Sequence, residues 1–182
     1  ALPISLILFT PKSLLRNKDA ASPLSEFTKG GFQTVIGERD ETIDAKQVTR
    51  LIACSGKVYY DLVAKREELE REDTAIVRVE QLYPYPEKQI EAILARYNKA
   101  VELIWAQEEP KNMGAWSFVA DQMEEVLTAL HHHQMRPWYV GRPAAAAPAT
   151  GFEGRHEAEK KKLLQEALTL VQFQKRKVKH GD

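Results

Sequence analysis

Large absences narrow the field first. Cys54 is the single cysteine in 182 residues, so no internal disulfide framework holds the fold. It lies in the apolar run Leu51 to Cys54, which suits a buried structural thiol better than an exposed nucleophile. Charge of one sign is also missing: 26 Lys and Arg balance 26 Asp and Glu, so no global field draws the chain to nucleic acid or an anionic membrane. No apolar run approaches the roughly 20 residues that span a bilayer. The opening "ALPISLILF" lacks the basic flank and small-residue cleavage site of a signal peptide. There is no GxGxxG, no HExxH and no nucleophile elbow. The chain shows no complete active site of its own.

What remains is 43% hydrophobic and 29% charged, an ordinary globular balance. The absence of an initiator methionine and the abrupt apolar start suggest a piece of a longer chain. Ile4 to Phe9 reads as a short buried strand. Thr10-Pro11 and Ser22-Pro23 read as cap-plus-proline helix starts. Phe32 to Ile36 reads as a weak strand, and "GERDETIDAKQ" as a polar connector.

A regular alternation follows. Strands are expected at Arg50 to Cys54, Ala75 to Val79, Val101 to Ala106 and Pro137 to Val140. The helices between them carry apolar faces: Val58, Leu62, Val63 and Leu69; then Ile90, Ile93, Leu94 and Tyr97 at i, i+3, i+4 and i+7; then Val119, Met123, Val126 and Leu130. Leu163, Leu164, Ala167, Leu168 and Val171 mark the buried face of a last helix. Strands alternating with amphipathic helices predict a parallel sheet with helices on both faces. The expected organisation is a leading segment over 1–47, an α/β domain over 48–172 and a basic tail over 173–182, which includes "KRKVKH".

In such sheets ligands sit beyond the carboxyl ends of the strands. Ser55-Gly56-Lys57 follows the first strand of the repeat. Ser55 is a candidate helix cap, Gly56 allows a tight turn, and Lys57 adds charge to the helix's amides. The first glycine of the P-loop is missing, so the stretch is either a structural corner or a phosphate site. "QEEP" offers Glu108 and Glu109, whose side chains should point to opposite sides of a strand end. That favours hydrogen-bonding or interface roles over a shared proton. Trp105 and Trp116 flank it, as either core or packed interface. Arg142, in "GRPAAAAPATG", can hold a carboxylate or phosphate in two-pronged fashion or form a surface ion pair. His131 to His133 lack the spacing of metal ligands, because consecutive helix residues point about 100° apart.

Five motifs in order, "FTPKSLLRNK", "CSGKVYYDL", "IVRVEQLYPYP", "QEEPKNMGAW" and "GRPAAAAPATG", resemble the carboxyl-terminal region of the first component of 2-oxoglutarate dehydrogenase. The resemblance runs from about Ile4 to Leu170; the His triplet and the tail after Val171 depart from it. It implies a transketolase-like carboxyl-terminal domain, a three-layer α/β/α fold around a mostly parallel five-stranded sheet. It also implies that thiamine diphosphate and Mg²⁺ bind upstream, since the GDG…N cofactor motif is absent here. By the same resemblance the full chain decarboxylates 2-oxoglutarate and succinylates the lipoyl group of the second component. This region then serves homodimer assembly and allosteric binding of acetyl-CoA or AMP. The implied effector residues are Arg16, Thr49, Arg50, Lys57 and Gln107, with Glu108, Glu109, Trp116 and Arg142 at the interface or strand ends. The expected compartment is the bacterial cytoplasm, or else the mitochondrial matrix. Three alternatives stay open: the same domain of a 2-oxoadipate dehydrogenase or a 2-oxoglutarate decarboxylase, a stand-alone nucleotide- or CoA-binding module, and a dimerisation domain with a vacant pocket.

Overall fold

Arg50 to Cys54 is buried at every position, and that run of five sits at the centre of a sheet. The computed structural model describes residues 5, 7–97, 99, 100, 102–132, 134 and 136–169. Two 3-10 turns, Lys12–Leu14 and Lys18–Ala20, come first. Then follow α1 (Leu24–Thr28), β1 (Val35–Ile36), β2 (Arg50–Cys54), α2 (Val58–Glu68), β3 (Thr74–Val79) and α3 (Glu87–Arg96). The chain continues through β4 (Glu102–Pro110), α4 (Trp116–Ala129), β5 (Trp138–Arg142) and α5 (Glu153–Leu168).

The strand order is β1-β3-β2-β4-β5. Every pairing is parallel except that of β1, which runs antiparallel to β3. The pleat sorts the core into two layers. Leu51, Ala53, Val77, Leu103 and Trp105 face one way and pack with Ile90 of α3 and Val119, Met123 and Val126 of α4. Ile52, Cys54, Ile76, Ile104 and Ala106 face the other way and pack with Val58 and Leu62 of α2 and Leu163 and Leu168 of α5. The fold is therefore the expected α/β/α sandwich on a mostly parallel five-stranded sheet.

Some local expectations change. Ser5 and Ile7 to Phe9 form no strand; Ile7, Leu8 and Phe9 are 77%, 74% and 97% exposed. A buried strand needs a neighbour, and no described element pairs with this one. Leu69 lies past the end of α2 and is exposed; Tyr59 and Arg66 are buried there instead. Burying Arg66 is tolerable because Glu38 and Asp40 neutralise it and the Thr74 carbonyl accepts its Nη1. Glu38 also accepts the Ile76 amide at 2.8 Å. With β1, these bonds tie the stretch from Thr34 to Asp40 to the sheet. Strand β4 continues through "QEEP", and β5 reaches Arg142, both beyond their expected ends. His131 (φ +51°) ends α4, and His132 bonds the Ala100 carbonyl across 3.0 Å. His133, Val171 and the tail lie outside the described residues.

Candidate anion-binding crevice

Strands β2 and β4 are neighbours, but the chain leaves them toward opposite faces: α2 packs with α5, and α4 with α3. Helices diverging from adjacent parallel strands leave a crevice at their carboxyl ends, the usual ligand position in open α/β sheets. Lys57 lies on its β2 side and Glu108 on its β4 side.

Gly56 makes the corner between β2 and α2 at φ +71°, a conformation that costs a residue with a Cβ. Lys57, not Ser55, immediately precedes α2, and among the described residues no side chain caps that helix. The amides of Tyr59 and Tyr60 turn back onto the carbonyls of Gly56 and Lys57, at 3.4 and 3.1 Å, so the crevice end of the helix offers its dipole rather than a set of free donors. Lys57 Nζ donates to Glu108 Oε1 across the crevice. The crevice, a cavity of about 190 Å³, is also lined by Glu109, Arg142, His156 and Lys160. Arg142 Nε donates to Glu159 at 2.6 Å, and its Nη1 to the Pro148 carbonyl at 3.0 Å. Lys160 pairs with Glu157 at 3.0 Å. That hydrogen bond is the main cause holding the Lys160 ammonium above its ordinary range. Each of these three cations thus has a carboxylate partner.

The wall of the crevice is built by Gln107. Its Oε1 accepts from Trp105 Nε1 and from the Trp116 amide, both at 3.0 Å. Its Nε2 donates to the carbonyls of Glu109, Pro110 and Met113. Gly114 (φ +65°) packs so closely that an added Cβ would stand 3.0 Å from Gln107 Nε2 and 2.9 Å from Glu109 Cβ. Tyr139 stacks on Trp116 with ring centres 5.2 Å apart, and its hydroxyl donates toward the carbonyls of Glu109 and Arg142. Burial pushes that phenol up to about 12. Asn112 and Ala145 exchange two 3.0 Å bonds, pinning the alanine-rich loop to the β4–α4 turn.

The structure therefore brings Lys57, Glu108 and Arg142 together, with Glu109 at the rim. It does not bring the other expected effector residues there. Arg50 starts β2, roughly 13 Å of strand away from Cys54. Its side chain is fully buried and spent on Glu102 and the carbonyls of Ala167 and Thr169. Thr49, beside it, bonds Asp73. Gln107 is buried and committed within the wall, and Trp116 is part of the same packing. Arg16 is exposed on the leading segment and does not line the crevice. His156 and Lys160, which do line it, carry no motif of their own in the sequence. Their i, i+4 spacing on one helix face was the available signal.

Among the described residues no three His, Cys, Asp or Glu side chains converge on a point.

A family profile described as "2-oxoglutarate dehydrogenase C-terminal" matches residues 21–168. The chain belongs to this family. The 2-oxoglutarate dehydrogenase E1 component of Cupriavidus necator is 51% identical over 163 residues, 90% of this chain and 17% of that protein. Its namesake from Azotobacter vinelandii is 47% identical over 165 residues, again 17% of the longer protein. The chain thus spans about a sixth of these curated relatives. Among solved structures, a split-gene transketolase (an inactive β4 tetramer) superposes with a TM-score of 0.49 at 16% identity, over 76% of this chain and 44% of that one. A likeness that distant carries no functional argument.

Proposed function

We propose that this chain is the carboxyl-terminal domain of a 2-oxoglutarate dehydrogenase E1 component. The observation that carries the reading is the family match over 21–168 together with identities near one half to bacterial E1 components. In this reading the full protein uses thiamine diphosphate and Mg²⁺, held by other domains, to decarboxylate 2-oxoglutarate. It passes the succinyl group to the lipoyl arm of the second component, as a homodimer in the bacterial cytoplasm. The domain described here gives structural support and binds a phosphate-bearing effector, of the acetyl-CoA or AMP type, in the Lys57 crevice. A cavity of about 190 Å³ falls below the ordinary range for a whole ligand, so it takes the phosphate end only.

The test is a substrate comparison in the full-length protein with thiamine diphosphate and Mg²⁺. Decarboxylation of 2-oxoglutarate well above that of 2-oxoadipate, with transfer to the lipoyl acceptor, supports the reading. Preference for 2-oxoadipate, or decarboxylation without lipoyl transfer, assigns the chain to the corresponding paralogue instead.

A further inference from the structure

Three cation–carboxylate pairs surround the crevice, and they differ in how firmly each is built in. Arg142 is tied twice, to Glu159 and to the Pro148 carbonyl, and Glu159 also receives Arg155 at 2.9 Å. Opening that pair would break a network. Lys160 and Glu157 are three residues apart on α5, a pair within one helix face. The third pair, Lys57 with Glu108, joins the β2–α2 corner to β4 and so spans the crevice itself. Among the described residues, neither side chain makes another hydrogen bond or ion pair. Both remain partly open to solvent, at 33% and 24%.

A pair of this kind is easily exchanged. Its attraction is screened by water, and nothing else fails when it opens. Lys57 stands immediately before the first turn of α2, whose N-terminal dipole favours an anion, and Arg142 and Lys160 line the same crevice. A carboxylate reaching over from β4 can meet the ammonium but replaces only one charge. A phosphate group carries more charge and several acceptor oxygens, so it meets the ammonium and the helix dipole more strongly than one carboxylate does.

We propose that Glu108 is the built-in counter-ion of this anion site. It neutralises Lys57 when the crevice is empty, and a phosphate-bearing ligand displaces it. Glu108 thereby sets the affinity of the site and selects for multiply charged anions over singly charged ones. The inference rests on the effector reading of the crevice given above.

The experiment is calorimetric titration of inorganic pyrophosphate, and of AMP, into the full-length protein and its Glu108→Gln and Lys57→Met variants. Removing a negative charge within about 4 Å of the bound anion is expected to tighten binding roughly tenfold in Glu108→Gln, with the gain shrinking as salt is raised. Lys57→Met is expected to abolish it. If wild type and Glu108→Gln bind equally while Lys57→Met does not, the anion site stands and the counter-ion role falls. Weaker binding by Glu108→Gln also overturns the role and shows that Glu108 positions Lys57. No binding by any of the three removes both the role and the effector reading.

Discussion

The amide of Gln107 meets five polar groups: its oxygen accepts from the Trp105 indole and the Trp116 amide, and its two N–H hydrogens are shared among three carbonyls, so its loss would leave the buried Trp105 N–H and the Met113 carbonyl without it. An orphaned buried donor or acceptor costs about 1–3 kcal/mol, so Gln107→Leu is expected to lose about 3 kcal/mol or more in urea denaturation. Gly141 is similarly constrained: an added Cβ would lie 2.5 Å from the Tyr139 hydroxyl oxygen and 2.7 Å from the Gln107 carbonyl. Gly141→Ala should cost about 1–3 kcal/mol, because backbone on that side has no room to move. Asp73 gives a pH signature. Its bonds from Arg71, at 2.7 and 3.0 Å, chiefly hold its carboxyl below the usual 3.8. A group depressed in the folded state stabilises above its unfolded value, and that contribution fades as pH falls through the folded one. The urea midpoint should therefore drop below about pH 4, and Asp73→Asn should flatten that acid limb while lowering stability at neutral pH.

At the scale of elements, Arg50 and Arg71 hold the end of α5. Arg50 donates to the carbonyls of Ala167 and Thr169, and Arg71 to that of Leu168. Helix carbonyl ends favour such cations. Arg50→Ala removes them and leaves Glu102 without its partner, so it should cost about 3–5 kcal/mol. Faster amide exchange near the end of α5 should accompany that loss. It should leave pyrophosphate affinity unchanged in protein that remains folded, because Arg50 is at the opposite end of the sheet. Strand β2 was legible to the residue, because five buried positions in a parallel sheet make a continuous apolar run apart from Arg50 itself. The partners of Arg50 were not legible: Glu102 and the α5 carbonyls are 52 to 119 residues distant, and only the fold discloses them. The opening strand failed because apolarity supplies the wish for burial and not the neighbour. His156 and Lys160 were missed because their crevice partners come from β2 and β4, far back in the chain.

Across the whole molecule, one firm sandwich carries an apolar leading segment that it does not cover. Leu15, Leu24, Phe27 and Phe32 are 71%, 79%, 76% and 73% exposed, as Ile7 to Phe9 are. In the 182-residue chain by itself, trypsin should cut first at Arg16, Lys18 and Lys29 and leave the α/β body from about residue 34 intact. What the body belongs to is decided by one assay. The full-length protein, supplied with thiamine diphosphate and Mg²⁺, is mixed with 2-oxoglutarate and a lipoyl acceptor, beside the 182-residue chain alone. The full protein should decarboxylate 2-oxoglutarate with succinyl transfer, and the isolated chain should do neither. Turnover by the isolated chain, or a full protein inert toward 2-oxoglutarate, would contradict this expectation.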